Sequence, residues 1–126
     1  MAEMENYLRI DPDGSVSWIQ ASRSDLCRYF RRSIGCNWLE NVRTVIPDIC
    51  IVIDEVGKIK DPPQPHNPIA SRLYLGFHYG IDDIVGPAIV AAIHLVDGES
   101  DWVPLSDVEL AKLSLYLGIE IPDIKN

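Results

Sequence analysis

The spacing of hydrophobic residues predicts two strands and then a helix in the first third of the chain. Residues 7–11 and 16–19 are rich in apolar side chains, and Pro12-Asp13-Gly14 between them has the composition of a tight turn, which predicts a hairpin. Ser22 is placed to cap a following helix that ends at Gly35. The apolar stripe of this helix consists of Leu26, Phe30 and Ile34.

The middle of the chain predicts a buried strand, a loop and a short helix. Residues 49–53 form a continuous apolar run, which is typical of a buried central strand. Residues 61–66 are rich in proline and predict an extended loop. Asn67-Pro68 is a strong helix start, because Asn accepts from free N–H groups and Pro lacks a donor that would be unpaired there. We expect this helix to end at Gly76.

The last third of the chain predicts a long apolar segment and a well-capped helix. Residues 84–96 are interrupted by Gly86-Pro87, and because proline cannot donate to a central ladder, we expect an edge strand or a bulge here. Ser106 and Glu109 form a capping box for a helix that extends to about Leu117. Both segments are apolar on more than one face, so we expect a homo-oligomer.

Together these elements predict one α+β domain over residues 1–126, a mostly antiparallel sheet of about five strands with about three helices. A chain of this length with 47% hydrophobic residues can bury its own core without a disulfide or a metal. No stretch reaches the roughly 18 apolar residues of a membrane span. The acidic start, residues 1–5, does not resemble a signal peptide. We therefore expect a cytoplasmic protein with no membrane partner.

The net charge and its distribution along the chain limit the classes of partner that we expect. The net charge of −8 argues against nucleic acid, because affinity for nucleic acid comes mainly from Lys and Arg contacts to phosphates. Residues 21–45 nevertheless carry five arginines against two acids, whereas residues 81–126 carry a net charge of −7. Since arginine recognises planar anions and phosphates through paired contacts, this segment predicts a site for an anionic small molecule.

The candidate ligand contacts follow from that segment and from one helix start. The predicted ligand-binding residues are Arg28, Arg31, Arg32, Trp38, Arg43, Asn67 and Arg72. The first three are spaced i, i+3, i+4 away from the apolar stripe, and Trp38 offers a stacking surface. Asn67 either holds a phosphate or base at a helix start or simply caps its own helix. The alternative for the arginines is a solvated helix face that pairs with the acidic C-terminal half.

Other reactive side chains lack a recognisable arrangement. Cys27, Cys36 and Cys50 share no CxxC spacing, and we expect them to be buried as small hydrophobic residues. Asp54-Glu55 is either an acid/base or metal pair or a solvated turn, and the turn is preferred because adjacent carboxylates on an extended chain point apart. The three histidines have no zinc-site spacing, and no P-loop, GxSxG or GxGxxG motif is present. We expect no catalytic residue, no metal and no cofactor.

Several short motifs recur in order along most of the chain. They are Arg9-Ile10-Asp11-Pro12-Asp13-Gly14, Ile34-Gly35-Cys36 leading to Glu40, Ile53-Asp54-Glu55-Val56-Gly57, Asn67-Pro68-Ile69-Ala70-Ser71 and Asp83-Ile84-Val85-Gly86. In these motifs the chain resembles DUF3846, a family of small phage, plasmid and gut-bacterial proteins of unknown function. It departs from that family in its longer proline-rich loop before Asn67 and in Gly35-Cys36, where the family has Gly-Gly.

The resemblance implies a fold and a genomic setting rather than an activity. Small acidic phage proteins often act against host defence, some by sequestering nucleotide signals without cleaving them. We therefore expect a non-enzymatic accessory protein of a phage or mobile element. It would hold an anionic nucleotide-like ligand, such as a cyclic nucleotide or an ADP-ribose derivative, in the host cytoplasm. The alternatives are an inhibitor that binds a host protein through its acidic surface and a small hydrolase.

Overall fold

Six strands and four helices are present in the part of the chain that the structure describes. The computed structural model covers residues 3–124, so two residues of the acidic start and Lys125 of the charge count lie outside it. The strands are β1 Met4–Ile10, β2 Val16–Ser22, β3 Leu39–Arg43, β4 Ile49–Asp54, β5 Ala88–Val96 and β6 Glu99–Val103. The helices are α1 Leu26–Ile34, α2 Pro68–Leu73, α3 Leu75–His78 and α4 Asp107–Leu117. The predicted α+β fold is confirmed.

All strand pairs are antiparallel, and β5 is the strand that connects the two halves of the sheet. The order is β2-β1-β5-β4-β3, with β6 paired to β5 as well. Residues 89–92 of β5 pair with β4 along one edge. Along the other edge, residues 88–90 pair with β1 and residues 92–96 pair with β6. The expectation of an edge strand here is wrong: Pro87 directly precedes β5, where the ladder does not need its missing N–H.

Both faces of the central strands are buried, because helices cover the sheet from both sides. Every residue of β4 is buried, as are residues 88–92 of β5. Side chains at alternate positions enter two separate cores. We call the side that packs against Leu26, Phe30 and Ile34 of α1 the α1 face. The opposite side, covered by α2 and α4, is the α4 face. The apolar excess within β5 is therefore used inside the monomer.

The helix boundaries follow the predicted capping signals at three ends and differ at two. Ser106 and Glu109 form the predicted capping box, with each side chain accepting from the backbone N–H of the other. Gly35 ends α1 in the left-handed region, at φ +79°. Asn67 caps α2, but the predicted helix divides into α2 and α3 because the backbone of Tyr74 is extended. Ser22 is the last residue of β2 and does not cap α1, since a 3-10 turn, Arg23–Asp25, intervenes.

Asn67 is a central connection in the α4-face core. Its side chain is fully buried, and its Oδ1 accepts from the Ala70 N–H at 3.1 Å. Its Nδ2 donates to the carbonyl of Ile10 at 3.0 Å and to that of Gly86 at 2.9 Å. One amide therefore joins the start of α2 to the end of β1 and to the segment before β5.

We predict that Asn67→Ala lowers the free energy of unfolding by about 2–4 kcal/mol, because it removes a cap and leaves two buried carbonyls unpaired. Ser106→Ala is the matched control, since it removes an exposed cap alone and should cost about 1 kcal/mol. Urea unfolding followed by tryptophan fluorescence measures both. An Asn67→Ala cost no larger than that of Ser106→Ala would contradict the central role of this amide.

Candidate functional site

Four arginines lie on the same side of the sheet. Arg28, Arg31 and Arg32 belong to α1 and are not among its buried residues. Leu39 of β3 packs into the α1-face core, and because strand side chains alternate, Arg43 four residues later projects to the same side. We call this set, Arg28, Arg31, Arg32 and Arg43, the arginine face.

These arginines differ in their ion-pair partners from Arg9 and Arg23. Arg9 pairs with Asp11 at 2.8 Å, and Arg23 pairs with Glu5 at 2.7 Å and Asp101 at 3.0 Å. On the arginine face, Arg28 lies 3.8 Å from Asp25, and the other three form no ion pair with residues 3–124. Among residues 3–124, none of these four arginines forms the predicted ion pair with the acidic C-terminal half; Arg23, which pairs with Asp101, is not one of them. The arginine face is therefore available to an external anion.

Interactions within α1 stabilise two of these arginines. Arg31 and Arg32 occupy the last turn of α1, where positive charge stabilises the carbonyl end of a helix. The guanidinium of Arg32 also lies 5.9 Å from the centre of the Tyr29 ring, in a cation–π contact. Neither interaction neutralises the charge, so both are compatible with anion binding.

The structure does not gather all the predicted ligand residues into one site. Trp38 is 63% exposed in the turn before β3, and at about 3.3 Å per strand residue it lies roughly 16 Å from Arg43. Arg72 lies on the opposite face and donates to the Leu117 carbonyl at 3.3 Å. Asn67 is buried, with both polar atoms bonded within the protein, so its side chain is not presented to a ligand. Arg72 and Asn67 are therefore separated from the arginine face.

A groove that the sequence did not indicate lies next to the arginine face. It is a shallow cavity of about 310 Å³, and its lining consists of Asn41, Ile93, Ser100, Asp101 and Trp102. The Trp102 ring packs against Phe30 of α1, with 5.2 Å between ring centres. Its indole Nε1 donates to Asn41 Oδ1 at 2.9 Å. Arg43 and Ile93 line an adjoining hollow of about 540 Å³.

A polar network beneath the groove fixes the position of β6. One nitrogen of the Arg23 guanidinium donates to the Trp102 carbonyl at 2.6 Å, to Glu5 and to the Tyr7 hydroxyl at 3.1 Å. Its other terminal nitrogen donates to Asp101. Burial, together with the hydrogen bond to Glu5, raises the pKa of Tyr7. The Tyr7 hydroxyl therefore stays protonated. It donates to Glu5 at 2.9 Å and accepts from Arg23, and Arg23 is the group that connects β1 to β6.

A second cavity, on the α4 face, is acidic. It measures about 80 Å³ and its lining includes Glu40, Asp54, Glu55, Asp82 and Asp83. The ammonium of Lys58 contacts both Asp82 and Asp83, and His66 Nδ1 lies 2.7 Å from Asp83 Oδ2. The hydrogen bond from Lys58 holds the pKa of Asp83 below its usual value, against the opposing effect of burial, and His66 also lowers this pKa. Lys58 thus occupies the position between the carboxylates.

Asp54 and Glu55 differ in burial, so the expectation of a solvated turn holds for Glu55 only. Asp54 is buried whereas Glu55 is exposed, as expected for neighbours on an extended chain. Asp54 Oδ1 accepts from the Val56 N–H at 3.0 Å. Its Oδ2 lies 2.5 Å from Lys60 Nζ in an ion pair, although that contact is not a well-aligned hydrogen bond. Among residues 3–124, no three His, Cys, Asp or Glu side chains are arranged to hold a metal.

The cysteines are in three different environments. Cys50 is buried, Cys36 is half-buried and Cys27 is exposed, so the expectation of three buried thiols is correct for one of them. Burial raises the pKa of Cys50 to about 12. Burial and the nearby charge of Asp54 also raise the pKa of Cys36. Because the thiolate is the nucleophilic form, these shifts disfavour Cys36 and Cys50 as nucleophiles at neutral pH.

Comparison with known proteins gives the fold but no family. No family model matches the chain, and no curated protein matches it. Among solved structures, the crystal structure of small RNA methyltransferase HEN1 is similar, with a TM-score of 0.61 and 13% sequence identity. The match covers 90% of this chain and 16% of that chain. It therefore shows a shared fold with one part of a much longer protein, and the resemblance to DUF3846 stays a prediction.

Membrane insertion through a helix has no candidate in the described part of the chain. Among residues 3–124, no helix combines the length and the apolar character needed to span a bilayer.

We predict that Lys60→Met lowers the free energy of unfolding by about 1–3 kcal/mol, because it leaves the buried Asp54 carboxylate without its partner. Lys58→Met is the matched control: the carboxylates it contacts are more exposed, so its cost should stay below about 1 kcal/mol. Chemical denaturation measures both. Equal costs for the two variants would show that Asp54 does not depend on Lys60.

Proposed function

We propose that this protein is a non-enzymatic accessory factor of a phage or mobile element that binds and sequesters an anionic, nucleotide-like ligand on its arginine face. The observation that carries the proposal is the separation of charge. The chain has a net charge of −8, yet Arg31, Arg32 and Arg43 share one side of the sheet without an ion-pair partner among residues 3–124.

This charge distribution favours the approach of an anion to one side of the protein. The acids of α4 and of the segment after it lie on the α4 side; they are Asp107, Glu109, Glu120 and Asp123. An anion is repelled there and attracted to the arginine face. Because charges are screened beyond about 8 Å at physiological salt, the attraction acts mainly over short distances. Paired N–H contacts from the guanidinium groups then supply the binding energy at contact.

Binding without chemistry is consistent with the side chains on this face. Sequestration requires contacts to the ground state of the ligand only, whereas catalysis requires groups that bind the transition state more strongly. The arginine face supplies fixed positive charge, and the Tyr29 ring beside Arg32 supplies aromatic surface. Arginine does not lose its proton in proteins, so these residues are suited to hold an anion rather than to transfer a proton.

We predict that the protein binds a cyclic nucleotide or an ADP-ribose derivative and releases it intact. The variant Arg31→Gln/Arg43→Gln should weaken binding at least tenfold, which corresponds to about 1.4 kcal/mol, because charge-assisted hydrogen bonds are lost. Arg72→Gln is the matched control, since it removes one exposed arginine from the opposite face. Titration calorimetry against a ligand panel measures the affinities, and chromatography of the recovered ligand tests for cleavage.

Two results would count against sequestration. Absence of heat for every ligand would remove the proposed function, and a cleaved ligand would revive the hydrolase alternative.

The protein-interaction alternative has an observation of its own: Phe77, Tyr79 and Ile81 are 43%, 74% and 73% exposed, directly before two aspartates. Exposed apolar residues beside charge are typical of protein-binding surfaces. A host protein retained by the wild type but not by Tyr79→Ser/Ile81→Ser would favour that alternative.

Self-association also stays a prediction. The structure leaves fewer exposed apolar residues for its interface than the sequence suggested. Residues 88–92 of β5 are buried in the monomer, whereas Leu95 is 76% exposed. We take the outer side of α4, where Val108 is 65% exposed and Leu115 is 86% exposed, as the candidate surface. We predict a mass above 14.1 kDa by light scattering and its reduction to the monomer value in Leu115→Glu. Lys112→Glu, a neighbouring substitution that introduces an acid without removing an apolar side chain, is the control. A monomeric wild type would contradict the prediction.

A further inference from the structure

The free edge of β2 carries none of the charged side chains that usually protect an edge strand. β2 lies at one end of the sheet, and its seven residues, Val16–Ser22, pair with β1 without a bulge. All seven are uncharged, whereas β3, at the opposite end of the strand order, carries Glu40 and Arg43. An unprotected edge is a template on which another extended chain can pair.

The hydrogen bonds at the two ends of the β1–β2 hairpin show which backbone groups of β2 point outward. The Asp11 N–H donates to the Ser15 carbonyl at 2.9 Å, and the Arg23 N–H donates to the Glu3 carbonyl at 3.3 Å. In an antiparallel ladder, bonded residue pairs alternate with non-bonded pairs. Because the register between these ends is continuous, the odd-numbered residues of β2 bond to β1. The even-numbered residues therefore direct their N–H and C=O groups away from β1.

Three of these outward residues, Val16, Trp18 and Gln20, offer six backbone groups at the edge. None of the six has a hydrogen-bond partner among residues 3–124. Ser22 is also even-numbered, but it is buried. The three residues repeat at roughly 7 Å along the strand. A second extended chain has the same repeat and can therefore pair with all of them.

A groove lies beside this edge, on the α4 face. We call it the β2 groove; it measures about 590 Å³, and its lining includes Trp18, Gln20, Pro122, Asp123 and Ile124. The indole N–H of Trp18 donates to the Pro122 carbonyl at 2.6 Å, which holds the ring in place. Side chains that lie opposite each other on neighbouring strands are about 5 Å apart. Every second side chain of an added strand would therefore lie over the β2 groove.

The charges beside the β2 groove favour a basic occupant over a second copy of this chain. Residues 119–124 carry Glu120 and Asp123 but no Lys or Arg. Asp123 lines the groove and forms no ion pair with the described residues. Antiparallel pairing of two β2 strands in one continuous sheet would place these acids of both copies on the same side of that sheet. A strand with Lys or Arg on its groove side meets opposite charge instead.

We propose that the free edge of β2 is a docking site for an extended, basic segment of a partner protein, which adds a strand to the sheet. Backbone hydrogen bonds to the three outward residues supply affinity, as in other cases of strand addition. The β2 groove and Asp123 select apolar and cationic side chains at alternate positions. The groove lies on the α4 face, whereas the arginine face lies on the opposite side of the sheet. This site is therefore separate from the anion binding proposed above.

The test is hydrogen exchange, followed by NMR on the full chain, with the synthetic peptide acetyl-Lys-Ser-Val-Ser-Val-Ser-Lys-amide. Its lysines and valines share one side of an extended strand. We expect a Kd below about 1 mM, and binding at least tenfold tighter than that of the same peptide with Glu in place of Lys. Saturation should slow exchange of the Val16, Trp18 and Gln20 amides at least tenfold. The Ser17 and Ile19 amides already bond to β1, so their exchange should not change.

Two substitutions at one position separate the backbone contribution from that of the side chain. Gln20→Pro removes an outward N–H, and proline is tolerated where the N–H of an edge strand faces solvent. It should weaken binding of the lysine peptide at least tenfold. Gln20→Ala is the matched control, since it shortens the same side chain but keeps the N–H. Its affinity should stay within about threefold of wild type.

A charge reversal tests the choice of occupant and does not depend on proline being accommodated. Asp123→Lys should reverse the preference between the lysine and glutamate peptides, and an unchanged preference would overturn the basic partner. Circular dichroism shows whether each variant is folded. Binding of the nucleotide panel at wild-type affinity by Asp123→Lys would show that this site and the arginine face act separately.

Other results would overturn the docking site itself. They are no binding of the lysine peptide at about 1 mM, protection confined to amides elsewhere, such as those of residues 77–81, and equal affinities of Gln20→Pro and Gln20→Ala. Slow exchange of the three outward amides in the free protein, becoming faster on dilution, would show that a second copy occupies the edge instead.

Discussion

The antiparallel pairing of β4 with β5 is the constraint on which the rest of this structure depends. Four residue pairs, from Ile49 with Ala92 to Val52 with Ile89, join two strands that are apolar on both faces. Full burial of a Val or Ile side chain contributes roughly 1.5–3 kcal/mol, so neither face can stay exposed without a large loss of stability. The chain covers one face with α1 and the other with α2 and α4, and β1 and β6 share the remaining edge of β5.

The unequal lengths of these covering elements produce the candidate site. The nine residues of α1 span roughly 13 Å at 1.5 Å per residue, whereas the nine residues of β5 span roughly 30 Å at 3.3 Å per residue. One helix therefore covers only part of its face. The uncovered part lies over β3, β5 and β6, where Asn41, Ile93 and Trp102 line the groove. The arginine face borders this opening because it belongs to the short helix and to the edge strand β3.

Among residues 3–124, nearly all polar groups in the interior have a hydrogen-bond or ion-pair partner within the chain. The arginine face differs because most of its guanidinium groups have no ion-pair partner there. Arg23 connects β2 to β1 and β6, and Lys60 accompanies the buried Asp54. Lys58 neutralises the carboxylates of the acidic cavity. These charges stabilise the fold. In the described part of the chain, Arg31, Arg32 and Arg43 share one surface without an ion-pair partner, and this grouping is what the proposed anion binding requires.

What the sequence by itself determined is local: the capping box of α4, the glycine end of α1, the cap at Asn67, the buried character of β4 and the arginine-rich segment. Each depends on neighbours within a few residues, whose spacing is readable along the chain. Only the tertiary structure decided that β5 is central, that Asn67 is buried away from any ligand, and that Asn41 meets Trp102. Those outcomes depend on strand order and register, which bring together residues far apart in the chain, such as Asn41 and Trp102 at 61 positions, and leave no local signal.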